Sequence, residues 1–170
     1  VGVGYLEPEF EAIGIPMEDR GRRTTEYIEA MRSIWNDDDP AYDGDYVSFS
    51  GVKAFPRPVQ PLGPPVVRGG HSRPAWRRAV THSQGWYGFM LDPEATSENL
   101  SGLAEAEQKY DRPHELGELE ITVTPRMRPG PEMIEKYGEL GVDRLVLLSG
   151  ARSVDESVAF IEHIHETLLS

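Results

Sequence analysis

Between Pro64 and Ala79 the chain reads Pro-Pro-Val-Val-Arg-Gly-Gly-His-Ser, then Arg-Pro-Ala-Trp-Arg-Arg-Ala. A short β-branched run ends in Gly69 and Gly70, and a hydroxyl residue, Ser72, stands where a helix would begin. That order places unpaired backbone N–H groups and a helix N-terminus at the carboxyl end of a strand, where orphan amides and helix dipole both favour an anion such as phosphate. The same residues also serve as an ordinary tight strand-to-helix turn, and turn chemistry alone does not separate the two uses. His71 sits in the middle of the turn, either as a donor to an anion or as an exposed loop histidine. Arg68, at the end of an apolar run, needs a negative partner, either a ligand anion or a carboxylate such as Asp92.

Other residues with chemical potential weigh less. Trp86, Tyr87 and Phe89 lie on one aromatic run and either wall a flat ligand or fill a core. Trp35 and Trp76 fall on helix faces and read as packing. His163 and His165 are two apart on a helix and so diverge, which argues against a shared metal ion. Asp37-Asp38-Asp39 reads as a solvated helix stop, and His82 as a helix-end residue. No nucleophile–base–acid triad or paired-carboxylate spacing stands out, so catalytic residues stay unassigned and no metal is expected.

The elements that must position the glycine turn alternate regularly. Val1–Gly4 reads as the tail of a strand, and a polar segment from Glu7 to Asp19 follows. From Asp19 to Trp35, Tyr27, Ile28, Met31, Ile34 and Trp35 recur at helical spacing. Tyr42–Val52 reads as a small hairpin. Pro65–Arg68 is a strand, Pro74–Ser83 a helix, and Trp86–Met90 a strand. Asp92-Pro93 starts a helix running to Tyr110, because Asp caps and Pro suits the first helical position. Leu119–Thr124 alternates as a strand. Pro131 opens a helix with Gly141 as its stop. Val142–Leu148 reads as a parallel strand covered on both faces. Ser153 and Glu156 have capping-box spacing and begin a last helix with Val158, Ile161, His165 and Leu168 inward.

Repeated βα units imply a parallel α/β sheet. Gly2-Val-Gly4 lacks the third glycine and immediate helix of a dinucleotide fingerprint, so a piece of a (β/α) barrel fits better than a doubly wound sheet. With 170 residues against roughly 250 for a complete barrel, the chain corresponds to about half to two-thirds of one, read as a single domain over 1–170. The net charge of −12 disfavours nucleic acid and anionic membrane surfaces as partners. There is no cysteine, hence no disulfide or thiolate chemistry, and no apolar run of membrane-spanning length. A cytoplasmic location is the default expectation.

Several runs together resemble the luciferase-like monooxygenases: Gly2-Val-Gly-Tyr-Leu6, Phe10-Glu-Ala-Ile-Gly14, Arg20-Gly-Arg-Arg-Thr24 with Glu26-Tyr27 and Trp35, Phe49-Ser-Gly-Val52, Pro56-Arg-Pro-Val-Gln60, Pro64–Gly70, Gln84-Gly-Trp86 and Gly141-Val-Asp-Arg-Leu145. The resemblance leans toward members using the deazaflavin coenzyme F-420 rather than FMN. It implies a partial (β/α)8 TIM-type barrel, from the end of the fourth strand through the eighth strand and the C-terminal helix, with an inserted hairpin. It also implies a flavin- or deazaflavin-dependent oxidoreductase acting on a small molecule. By the same resemblance Gly4 and Tyr5 touch the cofactor, and Gly69, Gly70, His71 and Ser72 meet its phosphate. Strands one to three are absent from this pattern. Two open sheet edges then call for a homodimer or for association with the other part of a barrel, and a non-catalytic half-barrel is the alternative.

Overall fold

A computed structural model describes residues 1–168, which group into two compact units, Val1–Val66 and a second beginning at Val67. In the first unit a short helix α1 (Glu7–Ala12) precedes α2 (Arg20–Asn36), and strands β1 (Tyr42–Asp43) and β2 (Ser48–Phe49) form an antiparallel hairpin. The α2 helix and the hairpin match the expected positions, and α1 adds a turn of helix to the polar segment. Glu26 of α2 holds the hairpin loop by accepting from the amides of Tyr46 (2.6 Å), Val47 (2.8 Å) and Asp45 (3.0 Å). The acidic helix stop is a set of surface ion pairs, Asp38 with Arg57 and Asp39 with Lys53. Val1–Gly4 carries no strand. An extended segment counts as a strand only where a ladder forms, and the described ladders, β1-β2 and β3-β4-β5-β6, do not include Val1–Gly4.

The second unit contains β3 (Val67–Gly69), α3 (Arg73–His82), β4 (Gly85–Leu91), α4 (Pro93–Lys109), a 3₁₀ turn at His114–Leu116, β5 (Glu120–Pro125), α5 (Pro131–Glu139), β6 (Arg144–Leu145) and α6 (Val154–Leu168). Its four strands are parallel and lie in sequence order, β3-β4-β5-β6. An order that never reverses is that of a barrel wall; a doubly wound sheet would switch direction. The core lies between this sheet and its helices, with Ala79 and Val80 of α3, Leu103 and Ala106 of α4, Trp86, Leu91, Ile121, Val123 and Tyr137 packed together. Trp76 packs as expected: its ring covers Gly102 of α4 and its indole N–H donates to Asn99 Oδ1 at 3.1 Å.

Local signals place the helix ends. Asp92 Oδ1 accepts from Ala95 N at 2.9 Å, capping α4. Gly141, at φ +82°, closes α5, with its own N–H donating to Gly138 O and that of Val142 to Tyr137 O. Ser153 Oγ accepts from Glu156 N, while the Glu156 carboxylate reaches back to Arg152 N at 2.6 Å.

The last third of the chain departs from expectation. Only Arg144 and Leu145 of the Val142–Leu148 run join the ladder, and Val146 and Leu148 are exposed. A run needs neighbours on both edges and both faces to be fully buried; among the described residues β6 pairs with β5 alone. On α6 the half-buried apolar residues are Phe160, Ile164 and Leu168, whereas Val158, Ile161 and His165 are exposed. Both stripes are apolar at helical spacing, so periodicity does not decide which one faces the sheet.

Candidate functional site

The carboxyl ends of β3, β4 and β5 form one rim. At β3 the chain turns through Gly70 at φ +124°, a conformation that side chains rarely adopt, and a Cβ there would lie 2.8 Å from the Ala75 Cβ. Gly70 is therefore required twice, by backbone angle and by the close approach of α3. Its carbonyl accepts the indole N–H of Trp86 at 3.0 Å. Trp86 is fully buried, so the core itself holds the turn in place. At Gly69 a Cβ would meet only ordinary contacts with Tyr87, so this glycine leaves approach space and fills no strained angle.

Ser72 is the N-cap of α3 by backbone position, at φ −137°, ψ 154°, yet no side chain caps this helix. Trp76 N donates to Ser72 O, and Pro74 brings no N–H at all. The first turn thus presents amide donors with no side-chain acceptor, beside an exposed serine hydroxyl. A Ser-to-amide bond is what turn chemistry alone predicts for this position; its absence leaves both the hydroxyl and the amides for another acceptor.

His71 bridges the rim. Its Nε2 accepts from Phe89 N at 3.2 Å, and its ring lies 6.1 Å from that of Trp86. Desolvation lowers its pKa below the ordinary histidine value, which keeps the ring neutral at pH 7. With Nε2 assigned as acceptor, the proton resides on Nδ1, giving a neutral donor.

The three aromatics of β4 divide. Trp86 belongs to the core, Tyr87 and Phe89 face the other way, and Phe89 is 52% exposed. The Tyr87 hydroxyl pairs with Thr124 Oγ1 of β5 at 2.6 Å. The ladder then breaks between Phe89 and Leu91, where Met90 adopts φ +57°. Such bulges redirect side chains at sheet ends.

Gly69, Gly70, His71 and Ser72 are thus together on one turn. Gly4 and Tyr5 lie in the first unit: Gly4, at φ +81°, has the Phe10 ring where a Cβ would stand, and Tyr5 is 87% exposed. Asp92, one carboxylate considered for Arg68, caps α4, and its other oxygen lies 3.7 Å from Arg126. Arg68 is buried beside Trp86 in the ladder. Sequence reading passed over Arg126 and Arg128. The signal available was the run Pro125-Arg-Met-Arg-Pro129, two cations bracketed by prolines directly after a strand.

Comparisons with known proteins agree with this architecture. A family model described as luciferase-like monooxygenase matches residues 1–137. An uncharacterized protein of Mycobacterium tuberculosis is 28% identical over 164 residues, 96% of this chain and 56% of the relative. The FMNH(2)-dependent dimethylsulfone monooxygenase of Pseudomonas putida is 36% identical over 87 residues, 49% of this chain and 24% of the relative. Among solved structures, the coenzyme F-420-dependent tetrahydromethanopterin reductase of Methanopyrus kandleri superposes with a TM-score of 0.66 at 10% identity, covering 99% of this chain and 72% of that one. A monooxygenase from Streptomyces bottropensis gives a TM-score of 0.56 at 21% identity, covering 82% and 43%. These two likenesses concern the fold alone. The chain spans about half the length of the first curated relatives it matches, 56%. Among the described residues no helix is long and apolar enough to cross a membrane.

Proposed function

The chain belongs to the luciferase-like monooxygenase family, and from that premise we propose that it is the carboxyl-terminal part of a barrel oxidoreductase acting on a small molecule, with a phosphate-bearing flavin or deazaflavin at the Gly69–Ser72 turn. The observation that carries this reading is the uncapped start of α3 behind Gly70. Amides, a hydroxyl and a helix dipole converge there without an acceptor of their own, which is the donor set a phosphate takes. The residues present therefore fit the group. Ser72 Oγ and the first-turn amides would hold the phosphate, Gly69 and Gly70 give it room, and His71 offers a neutral N–H.

When bound, the ring supplies the redox chemistry, as a hydride carrier in a deazaflavin or an oxygen activator in reduced FMN. What this chain's residues contribute is placement. Trp86 fixes the turn through Gly70 O, and His71 ties the turn to Phe89 of β4. Tyr87 and Phe89, on the sheet face away from the helices, offer an aromatic surface beside the turn. We further propose coenzyme F-420 over FMN, as the motif resemblance implies, with Gly4 and Tyr5 contributing from the first unit. On this reading both units belong to one barrel domain. The edge of β6 and the Val158–Ile161 face of α6 are then covered by a second copy or by the remaining part of a barrel.

Titration of the purified chain with F-420 and with FMN, followed by fluorescence, tests this. Saturable binding at micromolar concentration, lost in Ser72→Ala and Gly70→Val, is the expected result. No binding of either coenzyme up to tens of micromolar, about the range expected of a resident cofactor, would favour a non-catalytic half-barrel instead.

A further inference from the structure

The rim carries a second constellation, separate from the glycine turn. Where β5 ends, the segment Pro125–Pro129 meets the loop Leu147–Gly150 after β6, and Met90 and Phe160 close the sides of a cleft of about 400 Å³. That volume suits a small ligand. Its walls are apolar apart from backbone, Ser149 and two guanidinium groups, Arg126 and Arg128. No carboxylate lines it, in a chain with 29 acidic residues. Its charged lining is thus cationic in a chain of net charge −12, the sign that favours an anionic ligand.

Both arginines are held without exhausting their donors. Arg126 donates its backbone N–H to Leu91 O at 3.1 Å, and its guanidinium stands 3.7 Å from Asp92 Oδ2, too far for a hydrogen bond. The Arg128 guanidinium carbon lies 4.9 Å from the centre of the Phe160 ring, and no hydrogen bond or ion pair engages its N–H groups among the described residues. The adjoining hollow shares Arg128 and adds Glu156 and His163, but the Glu156 carboxylate is already engaged by Arg152 N. The strained backbone at Met90, with φ +57° at a register break, sits on the same cleft. Strain of this kind clusters where side chains are aimed at ligands.

We propose that this cleft takes the carboxylate or phosphate of an organic substrate, with Arg126 and Arg128 as its specificity-determining residues and Met90 and Phe160 against its apolar body. As a substrate site it rests on the oxidoreductase reading, since the cleft opens on the same strand ends as the Gly69–Ser72 turn. Forked guanidinium groups bind planar oxyanions through two N–H donors, which is why a pair of arginines in an apolar cleft selects charge together with shape.

The test is calorimetric titration of the full chain, without coenzyme, using benzoate and phenyl phosphate as probes and benzyl alcohol as the neutral comparison. The anions are expected to saturate at millimolar concentration and the alcohol to bind at least about tenfold more weakly. Arg126→Gln and Arg128→Gln should each weaken anion binding by about tenfold or more, with circular dichroism confirming that they fold. Arg144→Gln, the same charge change on β6, should leave it unaltered. Equal binding of benzyl alcohol, equal loss in Arg144→Gln, or no saturation by either anion up to about 50 mM overturns the proposal.

A second arm measures F-420 and FMN binding in the same variants. Unchanged coenzyme affinity supports a substrate anion; a parallel loss assigns the anion to the coenzyme and overturns the substrate site. If wild type discriminates the anions yet binds no coenzyme, the oxidoreductase reading fails while the anion cleft stands.

Discussion

Gly70→Ala isolates what the turn asks of its backbone. Two costs add. A residue with a side chain at φ +124° is strained by about 1–3 kcal/mol. Its Cβ would also lie 2.8 Å from the Ala75 Cβ, against about 3.5–4.0 Å for carbons in contact, so α3 or the turn must move. Overpacking of this size costs about 1–3 kcal/mol. The reduced freedom of alanine in the unfolded chain offsets about 0.4–1 kcal/mol. The net expectation is a loss near 3 kcal/mol, which at an m-value of about 2 kcal/mol per molar lowers the urea midpoint by about 1.5 M. Trp86, donating to Gly70 O, makes intrinsic fluorescence a direct reporter. The double variant Gly70→Ala/Ala75→Gly removes the overlap and keeps the φ strain, so it should be less destabilised than the two single changes predict, by about 1–3 kcal/mol. A Gly70→Ala protein within about 0.5 kcal/mol of wild type, or a coupling of zero, would refute the argument that this glycine is there for angle and approach.

Three further outcomes follow from other contacts. Gly102→Ala in α4 should destabilise the protein by about 1–3 kcal/mol, because the Trp76 ring occupies the space of the new methyl; thermal melts showing the stabilisation usual for Gly→Ala inside a helix would contradict the packing. Arg112→Ala should cost about 2–4 kcal/mol in urea unfolding, since this one guanidinium binds the carbonyls of Val80 (2.7 Å) and Ser83 (3.0 Å) at the end of α3 and that of Gly117 (2.7 Å). For His71 the folded pKa is depressed, so its contribution is present above the unfolded value of about 6.5 and lost as pH falls below it. Wild type should therefore lose stability relative to His71→Gln between pH 7.5 and 5.5, read from paired urea midpoints; parallel curves would refute the desolvation of the His71 ring.

The fold was legible wherever a local rule decided the outcome. Asp92-Pro93, Ser153 with Glu156, and Gly141 mark helix ends because capping is a matter of a few neighbouring atoms, and each is found where those rules put it. The strands were legible as runs but not as ladders. Val142–Leu148 has the composition of a buried strand, and only Arg144–Leu145 pairs, because ladder length is fixed by neighbours and not by the run itself. The α6 stripes show the same limit. Val158 and Ile161 alternate as well as Phe160 and Ile164, and the choice rests on which surface lies opposite, information no helix carries within its own residues. Arg112 lies between α4 and β5 and carries no sequence signal, since side-chain bonds to distant carbonyls leave no periodic trace.

The candidate site divides along the same line, and the division explains its construction. Gly69–Ser72 was visible because anion chemistry there is backbone chemistry, written in residues that omit side chains. What was invisible is how the turn is held: the Trp86 indole N–H donates to Gly70 O, and Phe89 N–H donates to His71 Nε2. Both bonds are donated from β4 to the turn that follows β3, one anchored in the core and one on the rim. The turn is thereby tied to the β3–β4 ladder beneath it. A loop tied down in this way has less conformational entropy to lose when it takes up an anion, so preorganisation contributes to affinity independently of the donors themselves. The consequence separates two kinds of variant. Ser72→Ala removes a donor and should weaken coenzyme binding with stability intact, whereas Trp86→Phe loosens the turn and should weaken both together.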